Sequence, residues 1–237
     1  MSQELSVLAF TAASIGFFHT LLGPDHYLPF IVMSKSGRWS LAKTSLITFL
    51  CGLGHVLGSV VLGLVGVALG VAVGELEGVE SFRGNLAAWA LIAFGLAYFI
   101  WGMRQAIRNK PHTHKHHHSN GLLHGHSHGH HAEHAHPHLE QGQTNLTPWV
   151  LFTIFVLGPC EPLIPLLMYP AAKSGFSDLV LITAIFGLVT IATMLGIVLV
   201  STLGINLIPT TRLERYAHAL AGGAIFLSGM AIQFLGL

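Results

Sequence analysis

Six long apolar stretches, at residues 5–33, 41–73, 86–107, 147–171, 179–203 and 216–235, alternate with short polar segments. Residues 45–73 and 179–204 contain no Lys, Arg, Asp or Glu. A helix needs ~20 apolar residues to cross a hydrocarbon core, so the pattern predicts six transmembrane helices. The first two stretches exceed one crossing and must tilt, break or extend beyond the bilayer.

Composition narrows the class. Apolar residues make up 52% of the 237 and Asp, Glu, Lys and Arg only 9%; a soluble domain carries about 25% charged residues, so a soluble fold is excluded. The first residues include Glu4 and no Lys or Arg. They lack the positive start of a cleavable signal, and the first stretch is expected to remain as a span. Cys51 and Cys160 both lie inside apolar stretches and do not form a secreted disulfide pattern.

Charge sets the expected orientation. Lys35, Arg38, Lys43, Arg104, Arg108, Lys110, Lys115, Arg212 and Arg215 fall on one side of the six-span topology, and Arg83 and Lys173 on the other. The positive-inside rule then predicts a multi-pass inner (cell) membrane protein with both termini outside. Glu75, Glu77 and Glu80 lie in the 74–85 connector on that outer side. Trp39, Trp89, Trp101 and Trp149 sit near span ends as expected interfacial anchors. The glycines of the second span, spaced by four at Gly54 and Gly58 and again at Gly66, Gly70 and Gly74, are expected to serve helix packing.

Residues 111–138 differ in kind. They hold thirteen of the seventeen histidines among Gly, Ser, Asn and Pro. Such a tract cannot bury a core and is expected to be disordered; its histidines are a compositional metal-binding signal that does not specify the metal. It is expected on the cytoplasmic side.

An internal repeat organises the rest. Leu22-Gly23-Pro24-Asp25-His26-Tyr27-Leu28 matches Leu157-Gly158-Pro159-Cys160-Glu161-Pro162-Leu163 at an offset of 135 residues. At the same offset Gly52-Leu53-Gly54-His55 meets Gly187-Leu188-Val189-Thr190. An odd number of spans separates the copies, so the halves face opposite ways. The fold expected is an all-α membrane protein of two inverted three-helix repeats, residues 1–107 and 147–237, joined by the loop 108–146. Spans one and four should break at Gly-Pro, because proline removes a donor and clashes with the preceding turn. Inverted repeats with broken helices place a transporter's binding site near the midplane.

The ionisable residues of the spans gather at those breaks. Asp25 and Glu161 are the acids expected deep in the spans, with His19, His26, His55 and Cys160 beside them in sequence or repeat position. Each charged group at that depth costs ~2.5–3.5 kcal/mol even on the lenient insertion scale, so several at equivalent positions read as a site. The bland alternative is that they pair with one another or with broken backbone. Imidazole suits Ni, Co, Cu and Zn, and thiolate suits softer ions. The candidate metal ligands are Asp25, His26, His55, Cys160, Glu161 and His19.

His19 through Asp25-His26 resembles the His-x4-Asp-His signature of the nickel/cobalt permeases and related urease-accessory-type membrane proteins, with five rather than four intervening residues. Gly54-His55 resembles the Gly-His motif of their next span, and the His-rich tract is similar to that of nickel/cobalt efflux permeases. Leu157-Gly-Pro-Cys160 is similar to the Pro-Cys motif of cytochrome-biogenesis thiol–disulfide reductants, which share a broad superfamily with sulfite exporters. The resemblance implies a secondary transporter of a divalent transition-metal ion, Ni or Co before Zn or Cu, with Asp25, His26 and His55 in the path. It implies no enzymatic activity and no prosthetic group. Partners would be the metal ion and the bilayer, with competition between protons and metal as a route to coupling; an oligomer is compatible with the sequence and nucleic acid is not expected. The alternatives are an exporter of a small anion such as sulfite and a membrane thiol–disulfide reductant.

Overall fold

The computed structural model describes residues 3–108, 112–117, 123–128, 147–173, 175–207 and 214–236. Eight α-helices follow in order: α1 (Gln3–Leu22), α2 (Leu28–Ser36), α3 (Leu41–Leu69), α4 (Val73–Arg108), α5 (Thr147–Leu157), α6 (Leu163–Lys173), α7 (Phe176–Leu207) and α8 (Ala217–Leu235). Among the described residues five segments are long and apolar enough to cross a bilayer: α1, α3, α4, α7 and the segment ending in α8. α5 is a shorter apolar helix.

Both predicted breaks are present. α1 stops at Leu22, a 3-10 turn covers Pro24–His26, and α2 begins at Leu28. α5 stops at Leu157 and α6 begins at Leu163. With 11 residues each, α5 and α6 are both too short to span ~30 Å at 1.5 Å per residue.

One boundary differs from the hydropathy pattern. α4 has 36 residues and starts at Val73, so the 74–85 connector is helix rather than loop. The reason is its buried face: Leu76, Glu80, Ala87, Ala88 and Leu91 are all buried, continuing one helical stripe upstream of the apolar window. Glu75 and Glu77 stay exposed on the other side.

α3 ends on Gly70, whose φ of +66° is the left-handed cap that an L-residue resists. Val71 N–H then returns to Gly66 O at 2.9 Å and turns the chain into α4. α4 and α8 pack backbone to backbone: a Cβ on Gly222 would lie 2.2 Å from Phe99 N, and one on Gly95 would lie 2.4 Å from Phe226 N. This is where glycine drives close helix packing most directly. Trp39, expected at the interface, is instead buried against Met33, Leu91 and Leu151.

In the His-rich tract, β1 (His112–His117) pairs antiparallel with β2 (Leu123–His128), His112 opposite His128. Disorder was expected across residues 111–138, of which these two strands are the described part. The rest of the tract lies outside the described residues.

Candidate metal centre

The first break is closed by its own backbone. Pro24 has no N–H to continue α1, and Gly23 N–H makes the last bond, to His19 O at 3.1 Å. His26 N–H bonds Gly23 O at 3.1 Å and Tyr27 N–H bonds Pro24 O at 3.4 Å, forming the 3-10 turn. Pro29 at the start of α2 restarts the helix where its missing donor does no harm. The turn aims His26 inward, where it is 3% exposed.

Three histidines meet here. His19 comes from the last turn of α1, His26 from the 3-10 turn and His55 from the middle of α3. The ring centroids lie 4.7 Å apart for His19–His26, 5.0 Å for His26–His55 and 6.3 Å for His19–His55. One ring nitrogen from each falls within 4.8 Å of the other two. Metal–nitrogen bonds of ~2.0–2.1 Å place tetrahedral ligand atoms ~3.4 Å apart, so capture draws the rings inward by no more than about 1.4 Å.

The hydrogen bonds fix which nitrogens face the cluster. His26 Nδ1 lies 3.1 Å from both Gly23 O and Asp25 Oδ1. Both are acceptors, so Nδ1 carries a proton, and in the neutral ring Nε2 carries the lone pair. His55 Nδ1 faces Phe155 O at 3.4 Å, with the same consequence. His26 Nε2 and His55 Nε2 are buried and have no hydrogen-bond partner among the described residues. Buried orphan nitrogens are rare because each carries its full desolvation penalty. Both atoms belong to histidines of the same cluster.

The other candidate residues take different places. Asp25 stands behind His26, its carboxylate on Nδ1, the arrangement that fixes tautomer and ring direction in metal-binding histidines. Cys160 is fully buried in the second break, its Sγ 4.0 Å from His19 Nε2. Glu161 is exposed, on the lining of a cavity of about 510 Å³ that also takes in His19, Asp25, His26, His55 and Pro159. Residues of both Gly-Pro breaks therefore line one cavity together with the three histidines, Asp25 and Glu161.

Sequence reasoning missed the buried acid. Glu80, counted with the outer connector, is 0% exposed, and Arg83 lies beside it in an ion pair. The detectable signal was the stripe Leu76, Glu80, Ala87 and Leu91 at helical spacing, which the polar average of 74–85 concealed.

Residues 28–231 match the model of a family described as the cytochrome C biogenesis protein transmembrane region. No curated protein matches the chain significantly, and no solved structure does. The match overturns the expectation that the chain is not an enzyme, because the family is one of redox-active membrane thiol–disulfide reductants.

Proposed function

The chain belongs to the cytochrome C biogenesis protein transmembrane region family, a multi-pass membrane family, and from the geometry of its histidine cluster, not from that membership, we propose that the cluster takes a divalent transition-metal ion, Ni or Co first, and passes it across the bilayer. The observation that carries this reading is the pair of orphaned Nε2 atoms on His26 and His55 beside His19. Neutral imidazole is the ligand type for these ions, and a metal satisfies all three nitrogens at once.

In this reading α5 and α6 together make the sixth crossing, and the two halves are inverted repeats that rock about the breaks. The carboxylates of Asp25 and Glu161 attract the hydrated cation into the cavity. Asp25 then holds His26 in the metal-accepting tautomer, and Cys160 stands as a further donor next to His19. Ligands must shed protons to bind, which offers a route to proton coupling. The sequence has no Gly-x4-Gly-Lys-Ser/Thr motif for ATP, so an ion gradient or a partner drives uphill movement. In this reading the His-rich loop is cytoplasmic and both termini are outside, which the basic bias supports.

A second reading, thiol–disulfide exchange, is favoured by the family match and by the position of Cys160 directly after Gly158-Pro159. It needs two thiols with Cα atoms ~4.4–6.8 Å apart. Cys51 and Cys160 are both free and belong to different packing clusters, one with Phe30 and Met194 and the other with Leu163 and Phe186. A thiol mechanism requires the two to come within that reach. Export of a small anion such as sulfite is a third reading, opposed by the carboxylates of Asp25 and Glu161 on the cavity.

Proteoliposomes separate these readings. Metal passage predicts Ni²⁺ flux that His26→Ala abolishes and Cys51→Ser leaves intact. Disulfide exchange predicts that Cys51→Ser and Cys160→Ser both abolish electron transfer, and that His26→Ala does not. Sulfite flux that survives or rises in Asp25→Asn would support the anion exporter.

A further inference from the structure

The second break is only partly closed by its own backbone, through Gly158 N–H to Ile154 O at 2.9 Å and Phe155 O at 3.1 Å and Leu163 N–H to Cys160 O at 2.8 Å. In an uninterrupted helix Phe155 O would accept from residue 159, Val156 O from Cys160 and Gly158 O from residue 162. Positions 159 and 162 are both proline and offer no N–H. Cys160 N–H has turned away from Val156 O. The break thus leaves Cys160 N–H and the carbonyls of Val156 and Gly158 without their helical partners, and buried backbone polar groups need one.

α4 and α3 supply most of those partners through side chains. Glu80 Oε2 accepts from Cys160 N–H at 3.0 Å and from Ser59 Oγ at 3.0 Å. Arg83 pairs with Glu80 Oε1 and directs Nη2 onto Val156 O at 2.8 Å and Gly158 O at 3.5 Å. A carboxylate thus takes the stranded donor and a guanidinium takes two stranded carbonyls. Phe155 O, which accepts Gly158 N–H at 3.1 Å, is also met by His55 Nδ1 at 3.4 Å. Space is reserved for this bracket: a Cβ on Gly58 would lie 2.8 Å from Arg83 Nη2, and one on Gly84 would lie 2.8 Å from Pro159 Cγ. Gly58 therefore serves more than helix packing.

We propose that Glu80 and Arg83 are positioning residues that hold the 158–160 break in place and, through it, set the Cys160 thiol and the His55 ring against the three-histidine cluster. A buried ion pair of this kind adds little net stability, because desolvation offsets the attraction. Its value is geometric: it fixes the broken segment to a continuous helix, α4. The pair goes beyond metal passage itself, and rests on that reading only in that the segment it holds borders the proposed path.

The test uses the two cysteines of the full-length protein as paired reporters. Each is buried, Cys51 at 1% and Cys160 at 0%, and N-ethylmaleimide labelling of each is followed by peptide mass spectrometry. Loss of a buried charge-assisted hydrogen bond shifts a local opening equilibrium by about tenfold or more. Glu80→Gln and Arg83→Lys should each raise the Cys160 labelling rate about tenfold and leave Cys51 unchanged, with Arg83→Met exceeding Arg83→Lys because lysine retains one donor head. Unchanged Cys160 labelling in all three overturns the proposal. So does a parallel rise at both cysteines, which marks general loosening. Saturating Ni²⁺ should slow Cys160 labelling in the unmodified protein. Failure of that protection alongside selective Cys160 exposure in the variants would sink the metal reading and leave the positioning role standing.

Discussion

Asp25→Asn changes one contact of the histidine cluster, the 3.1 Å approach of Asp25 Oδ1 to His26 Nδ1. The amide keeps the side chain's size and its oxygen still accepts from Nδ1–H, but the charge that makes the imidazole a stronger ligand is gone. Gly23 O, also 3.1 Å from Nδ1, keeps the tautomer in place. The loss should therefore match removal of an outer partner of a metal-binding histidine, about 10–100-fold in affinity, or ~1.4–2.7 kcal/mol. His26→Ala removes the ligand itself and should abolish tight binding. The assay is Ni²⁺ competition against a chelator on detergent-purified protein whose tract histidines are replaced by serine. Equal affinity in Asp25→Asn and the parent refutes the orienting role. A loss as complete as that of His26→Ala would instead make Asp25 a direct ligand.

Cys160→Ser should give an intermediate loss of Ni²⁺ flux, since a hydroxyl is a poorer donor than a thiol for these metals, whereas Cys51→Ser should leave flux within error of the parent. Gly222→Ala forces a Cβ to within 2.2 Å of Phe99 N; a clash with backbone should destabilise the α4–α8 pair by about 1–3 kcal/mol, read as a lower detergent melting temperature. Deleting residues 112–138 should remove most of the weakly held metal and keep a single tight site, read by elemental analysis after dialysis.

Much of this was legible in the residues. The breaks followed from Gly23-Pro24 and Gly158-Pro159, because a proline in a helix interior has one outcome for its backbone. His19, His26 and His55 were each suspicious as ionisable groups in apolar stretches, and the structure brings those three together. The extra residue between His19 and Asp25 is absorbed at the break, where α1 gives way to a tighter 3-10 turn and strict helical spacing no longer holds. What remained hidden was the role of α4. Glu80 and Arg83 look like surface charges in a polar connector, and nothing local says that the chain stays helical there or that the partner backbone lies some 75 residues downstream at Val156 and Gly158. Glu161, expected deep from its repeat position, lies exposed in the turn at residues 161–162, on the lining of the cavity that also takes in the three histidines.

The most direct test of the histidine site is Ni²⁺ stoichiometry by equilibrium dialysis, comparing protein with serine in place of the tract histidines against the same protein carrying His19→Ala, His26→Ala and His55→Ala. A metal held by the three rings of the cluster predicts one tight equivalent in the first and none in the second, with both monodisperse. Equal retention in the two proteins, or no tight metal in the first, would contradict it.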